Sequence, residues 1–198
     1  MKKPLGPQTI LHPSPVVVVG TYGPDGRPNA MTASWVAICC SQPPCVSLAL
    51  RRATYTHGNL LTRRAFTLNI PSASQVRLVD YFGLVSGRDV DKLAVSGLTA
   101  VQSLLVDAPR MEEFPLVLEC QLCQSLELGS HTLFVGEIVE VLADETILDA
   151  QGRTDPERLR PLAFAFEQQG YYAMGPFVAR AFALGQEVLL KVRDPHVA

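Results

Sequence analysis

The chain has 198 residues, of which 47% are hydrophobic and 18% charged, and its formal net charge is −2. This length suits one domain, which we expect to span 1–198, and the hydrophobic fraction is large enough for a core. Lys and Arg form no basic stripe, which argues against nucleic-acid binding. No apolar run approaches the roughly 20 residues of a membrane-spanning helix. The basic N-terminus lacks the long apolar segment of a secretory signal. A charge fraction below the usual ~25% suggests that part of the surface is hidden in an oligomer.

The first strands are predicted within residues 16–50. Residues 16–22 are β-branched and predict a strand, and the Gly-Pro-Asp-Gly stretch at 23–26 has the residues of a hairpin turn. Residues 28–34 are small and polar, so we expect a loop there, followed by a strand-like stretch. A Gln-Pro-Pro interruption then precedes a buried strand at 45–50.

Short helices are predicted in the middle of the chain. Residues 54–64 have helical character, with Thr54 or Thr56 as the N-cap. A strand at 66–70 ends at Pro71. Two short helices are expected at 75–85 and 90–95, separated by the Ser-Gly-Arg-Asp turn.

The rest of the chain, from about residue 114, is mostly strand. Two alternating segments flank a Gly-Ser-His turn at 129–131, as in a hairpin. A short helical turn is expected at 155–162, and the last ~25 residues have no clear pattern. The chain shows neither regular β-α alternation nor a GxGxxG motif, which argues against a doubly wound sheet. Many short strands with helical insertions predict a closed or partly closed barrel.

The five cysteines are interpreted as small buried hydrophobic residues. An odd count with three of them close together (Cys39, Cys40 and Cys45) favours a reduced, cytoplasmic chain over a disulfide framework. Cys120 and Cys123 have C-x-x-C spacing, but they lie in an alternating strand pattern without a turn residue. No second such pair exists, so we expect no zinc site.

One candidate binding site follows the strand at 45–50. Arg51 and Arg52 precede Thr54, Tyr55 and Thr56 at the start of the predicted helix. Helix N-terminal amides, threonine hydroxyls and arginine suit a phosphate group. The alternative is an ordinary N-cap beside two solvated arginines.

His131 and Lys92 are weaker candidates. A single histidine at a strand turn is commonly structural or solvent-facing, although it can also act as a proton donor beside a cofactor. Lys92 is expected to be solvated unless an anion lies nearby. The chain has no G-x-S-x-G, HExxH or Walker motif, which argues against the common hydrolases and nucleoside-triphosphate enzymes.

Residues 15–72, 86–92 and 129–141 together resemble the flavin reductase-like family, and within it the flavoredoxin group. The resemblance extends over about 15–175. It implies a mainly β fold, the FMN-binding split barrel, which is an antiparallel Greek-key barrel with short helical insertions.

The resemblance also implies a site for non-covalent FMN, with Thr32 near N5 of the flavin and Trp35 beside the ring. Thr32 and His131 are the candidate catalytic residues. Lys92 would approach the pyrimidine end of the ring. Asn69 and Pro71 would lie along the ring or the ribityl chain, and Ser86 and Gly87 would offer backbone contacts. The ring would be lined by Asn29, Ala30, Met31, Thr32, Ala33, Ser34 and Trp35. The phosphate would be held by Arg51, Arg52, Thr54, Tyr55 and Thr56.

Two functions follow from the resemblance. One is an electron carrier whose bound FMN exchanges electrons with a redox partner protein. The other is an NAD(P)H:flavin reductase, which uses a nicotinamide nucleotide; a non-redox flavin-binding role is a third alternative. Members of the family often have Gly-Asp-His where this chain has Gly129, Ser130 and His131. A carboxylate at position 130 would orient the imidazole of His131, so its absence slightly favours the carrier. The family also implies a homodimer with the flavin near the subunit interface.

Overall fold

A computed structural model describes residues 1–186 and 188 of the chain. The strands are β1 (Ser14–Pro15), β2 (Val17–Tyr22), β3 (Pro28–Ala33), β4 (Val36–Ser41), β5 (Pro44–Arg51), β6 (Ala65–Ile70), β7 (Ala100–Gln102), β8 (Pro109–Met111), β9 (Leu116–Leu128), β10 (His131–Ala143), β11 (Leu162–Ala165) and β12 (Gly170–Ala173). The α-helices are α1 (Tyr55–Arg63), α2 (Val76–Leu84), α3 (Lys92–Ser96) and α4 (Pro156–Leu159). Short 3-10 turns occupy Ala73–Gln75 and Glu145–Ile147.

The framework is a seven-stranded antiparallel sheet in the order β3-β2-β6-β9-β10-β5-β4. Its two edge strands, β3 and β4, are joined by Ser34 and Trp35 alone, so the chain itself draws the two edges together. One core cluster collects side chains from strands across the whole sheet, including Val19, Phe66 and Phe134. The sheet is therefore rolled into a split barrel, as predicted.

The strands predicted at 16–22, 45–50 and 66–70 are present as β2, β5 and β6. The two long strands around the Gly-Ser-His turn are β9 and β10, which pair along almost their whole length. Helices α1, α2 and α3 also lie where the sequence predicts them, and Thr54 is the N-cap of α1.

The prediction of a loop at 28–34 is wrong, because Pro28–Ala33 is the edge strand β3. It pairs with β2 in a register that places Ala30 opposite Gly20. Ala30 is fully buried, and its small side chain permits close packing against α2 and α3. Tertiary pairing outweighs the low strand propensity of these residues.

Two smaller sheets were not predicted. Strands β7 and β8 form a hairpin, and β1, β11 and β12 form a three-stranded sheet. The helical turn expected at 155–162 is limited to α4, after which β11 begins at Leu162. Strands of two to four residues contain too few alternations to be recognised from a pattern. Among the residues described, no helix is both long and apolar enough to cross a membrane.

Candidate functional site

A cleft of about 590 Å³ lies between the start of α1, strand β3 and the segment from the end of α2 to the start of α3. Predicted site residues from three separate parts of the chain line it. They are Asn29, Met31, Arg51, Thr54, Tyr55, Thr56, Ser86, Gly87 and Lys92. The structure therefore brings together residues that are more than sixty positions apart.

One end of the cleft carries positive charge and unused donors. The Thr54 hydroxyl caps α1 by accepting from the backbone N–H of His57 at 3.3 Å, and it donates to the carbonyl of Arg51 at 2.9 Å. The other first-turn amides have no acceptor within the helix, and the first turn contains no acidic residue. Arg51 also lines this end, and its guanidinium pairs with no carboxylate of the residues described. This combination suits a phosphate group.

The wall of the cleft beside Arg51 and the start of α1 requires a glycine at position 87. Asn29 is buried, and its side-chain amide donates to the hydroxyl of Thr56 at 3.0 Å. A Cβ atom added at Gly87 would lie 2.0 Å from Oδ1 of Asn29 and 2.9 Å from the ring of Tyr55. Residue 87 must therefore be glycine for its backbone to approach the cleft this closely.

Lys92 is buried rather than solvated, with 4% of its surface exposed. Its Nζ donates to the carbonyls of Ala30 at 2.9 Å and Phe82 at 3.0 Å. An ammonium group has three N–H donors, so one remains for a ligand in the cleft that Lys92 lines. Burial lowers the pKa of Lys92 to about 8.

Arg88 is a cleft residue that the sequence did not reveal. Its guanidinium lies 5.7 Å from the centre of the Tyr55 ring, and Nη1 donates to the carbonyl of Ala53 at 2.8 Å. It adds a third positive charge to the cleft, after those of Arg51 and Lys92. Its only signal in the sequence is its place in the Ser-Gly-Arg-Asp turn between the two predicted short helices.

Several predicted residues lie outside this cleft. Arg52 forms an ion pair with Glu127. Thr32 donates its hydroxyl to the carbonyl of Val79 at 2.5 Å. Pro71 is buried just after β6, and Ala33 belongs to the main core.

Asn69 is also outside the cleft, with none of its surface exposed. Its side-chain amide donates to the Val18 carbonyl at 3.0 Å and to the Thr67 hydroxyl at 2.9 Å. Its Oδ1 accepts from the backbone N–H of Met111 at 2.9 Å. These contacts link β2, β6 and β8, so the side chain is occupied within the protein.

Ser34 and Trp35 line a second, largely apolar cavity of about 770 Å³. The Trp35 ring stacks on His131, with 4.6 Å between ring centres and an interplanar angle of 25°. Ser130 Oγ lies 2.8 Å from Nδ1 of His131 in a hydrogen bond. In the strand pairing His131 stands opposite Arg51, so the second cavity lies beside the first.

The cysteine prediction is correct for two residues and wrong for three. Cys45 and Cys120 are buried, whereas Cys39, Cys40 and Cys123 are exposed. Cys39 and Cys40 lie on the edge strand β4 near its turn to β5, and Cys123 lies in β9 where the pairing with β10 is irregular. Among the described residues no group of three or more His, Cys, Asp or Glu side chains is placed to hold a metal ion.

Comparison with known proteins assigns the chain to a class of flavoproteins. Residues 10–172 match the model of the flavin reductase-like domain, and the chain belongs to that family. Members of this family are flavin-dependent oxidoreductases.

Among solved structures, the flavoredoxin of Desulfovibrio vulgaris (Miyazaki F) is 47% identical, with a TM-score of 0.89; the match covers 93% of this chain and 100% of that one. The flavoredoxin from Methanosarcina acetivorans is 27% identical, with a TM-score of 0.88 and coverage of 95% and 100%. The reductase component of the 4-nitrophenol 4-monooxygenase/4-nitrocatechol 2-monooxygenase of Rhodococcus opacus is 33% identical over 127 residues. That match covers 64% of this chain and 65% of the relative.

Proposed function

We propose that the protein binds FMN in the cleft and carries electrons through it, as a flavoprotein of flavoredoxin type. The observation behind this proposal is the convergence of Arg51, the start of α1 and the buried Lys92 on one cleft. The 47% identity with a flavoredoxin over nearly the whole chain supports the same function.

FMN fits the donor set of the cleft. FMN ends in a phosphate, and the first-turn amides of α1 together with Arg51 provide donors and charge for it. The mass of the cofactor released from purified protein distinguishes FMN from FAD, and we expect FMN.

The residues around the cleft have separate tasks in this proposal. A bound flavin supplies two-electron transfer, the chemistry that the side chains lack. Arg51 and the start of α1 hold the phosphate, and Gly87 lets the backbone approach the ligand. Lys92 holds a positive charge in a buried position, where it stabilises the negative charge that reduction adds.

A second candidate function is NAD(P)H:flavin reductase. The absent carboxylate beside His131 argued against it, but the Ser130 hydroxyl bonds to Nδ1 of His131 and so orients the imidazole instead. The apolar cavity beside Trp35 and His131 also has room for a flat ring. The relative from Rhodococcus opacus is described as a reductase component, which favours the same function.

An oxygen-free stopped-flow experiment separates the two functions. FMN-loaded protein is mixed with NADH, with NADPH or with a reduced ferredoxin-like protein, and the visible flavin absorption is followed. The carrier proposal expects rapid bleaching with the reduced protein and none within seconds with either nucleotide. Rapid bleaching by a nucleotide, slowed in His131→Ala and not in the matched surface variant His12→Ala, would instead establish the reductase.

We also propose that the protein is a homodimer with the flavin near the interface. Leu126 and Leu128 are 58% and 52% exposed at the end of β9. Leu128 pairs with His131, which stands opposite the cleft residue Arg51. Light scattering is expected to give a dimer mass for the native chain and a monomer mass for the Leu126→Glu, Leu128→Glu double variant. A native monomer would contradict the proposal.

A further inference from the structure

All five cysteines lie in one region away from the cleft. Residues 39–45, at the turn between β4 and β5, include Cys39, Cys40 and Cys45. Cys45 lies six residues along β5 from Arg51, a separation of about 20 Å in an extended strand. Cys123 of β9 is close enough to Cys45 to influence its ionisation. The proposed flavin site does not account for these thiols.

The strand pairing places Cys40 directly opposite Cys45. The two strands are joined by a tight turn, with Ser41 opposite Pro44 and Cys40 opposite Cys45. Directly opposed residues lie on the same face of an antiparallel pair, with Cα atoms about 4.5–5.5 Å apart. A disulfide spans Cα separations of about 4.4–6.8 Å. The register therefore suits a bond between these two cysteines.

Cys39 is excluded from that bond by the same register. The pairing shifts between Ile38 and Cys40, so Cys39 is the extra residue of a bulge and has no partner on β5. It is exposed and adjacent to Cys40 in sequence, which makes it a close control for Cys40.

The two opposed thiols differ in access. Cys40 is exposed, and its Sγ makes one weak contact, 3.5 Å from the Gln42 carbonyl. Cys45 is buried, with 6% of its surface exposed, and this burial raises the pKa of its thiol. A reagent in solution therefore meets Cys40 first, and Cys45 is shielded until a neighbouring sulfur is activated.

We propose that Cys40 and Cys45 are a redox-active dithiol, which a low-molecular-weight disulfide oxidises to a cross-strand disulfide. The Cys40 thiolate attacks one sulfur of the reagent, forms a mixed disulfide and releases the first small thiol. The Cys45 thiolate then attacks Sγ of Cys40, forms the protein disulfide and releases the second. Two electrons pass from the protein thiols to the reagent, and the two protons lost by the cysteines leave on the released thiols.

Oxidised glutathione is the probe for the test. The full-length protein is incubated with it over a range of ratios to reduced glutathione, quenched with acid, alkylated and analysed by mass spectrometry. We expect a species that lacks two hydrogens, carries no glutathione and has two fewer alkylated thiols. Fragmentation should place the bond between Cys40 and Cys45, and dithiothreitol should reverse it.

Two variants at the exposed positions provide the decisive comparison. Cys39→Ser is expected to form the disulfide as the native chain does, whereas Cys40→Ser should form none. Cys45→Ala removes the same bond from the other strand and should accumulate glutathione on Cys40. Circular dichroism checks that each variant is folded.

Three results would overturn the proposal. They are a bond that persists in Cys40→Ser, a bond that is lost in Cys39→Ser, and a native chain that yields glutathione adducts alone at every ratio.

Discussion

Replacing Gly87 with alanine is expected to damage the cleft without touching its charged groups. The new Cβ would lie 2.0 Å from Oδ1 and 2.9 Å from Cγ of Asn29, so the Cβ and Oδ1 must move apart by about 1.4 Å to reach ordinary contact at 3.4 Å. Asn29 is buried and bonded to Thr56, so it cannot swing into solvent without losing that hydrogen bond. Overpacking of this kind costs about 1–3 kcal/mol. Relief of this strain displaces Gly87 or Asn29, which both line the cleft, and a penalty of the same size on binding lowers FMN affinity roughly 5- to 150-fold.

Titration of the apoprotein with FMN, followed by quenching of flavin fluorescence, measures this loss. Gly83→Ala is the matched control, because it lies in the same cleft but its new Cβ meets nothing closer than Thr32 Cβ at 3.8 Å. Gly83 is within α2, where alanine is also the better helix former. Native affinity in Gly87→Ala, or an equal loss in both variants, would refute the packing argument.

Three further predictions concern Lys92 and Asn69. Lys92→Met removes a buried positive charge and is expected to lower the two-electron midpoint potential of bound flavin by at least about 30 mV, measured by redox titration; an unchanged potential would place Lys92 away from the ring. In the apoprotein, burial lowers the pKa of Lys92 from 10.5 to about 8. Between those values the unfolded chain holds a proton that the folded chain has lost, so the free energy of unfolding rises with pH, by about 3 kcal/mol from this group. Urea unfolding near pH 8 and near pH 10.5 should show this rise in the native chain and a smaller one in Lys92→Met; equal rises would contradict the assignment. Asn69→Ala leaves buried partners unsatisfied and should cost about 2–4 kcal/mol of unfolding free energy, with FMN affinity unchanged; a selective loss of affinity would return Asn69 to the flavin site.

The sequence predicted the long elements well, because their patterns extend over many residues. Strands β9 and β10 each have thirteen residues and a clear turn between them. Strand β3 was missed because Pro28, Asn29 and Ala30 have low strand propensity, and its stability comes from pairing with β2 and packing under α2 and α3. Such support is not visible within a local window of sequence.

The candidate site likewise combines residues that a local sequence pattern indicates with residues that only the structure brings together. The cluster of Arg51, Thr54 and Thr56 was recognisable, since a cationic residue before a capped helix is a local pattern. The burial of Lys92 was not, because its acceptors, the carbonyls of Ala30 and Phe82, come from distant segments. Asn69 was assigned to the ligand by family resemblance, whereas the structure uses its amide to link strands.

The interaction of Arg51 with the FMN phosphate is the central claim, and comparing FMN with riboflavin tests it most directly. Riboflavin lacks the phosphate, so the two ligands isolate that group when both are titrated into native protein, Arg51→Ala and the control Arg52→Ala. We expect Arg51→Ala to weaken FMN by about 1–3 kcal/mol and to leave riboflavin unchanged. Arg52→Ala should affect neither ligand, because Arg52 pairs with Glu127 outside the cleft. Equal losses for both ligands in Arg51→Ala, or no loss for either, would contradict the account.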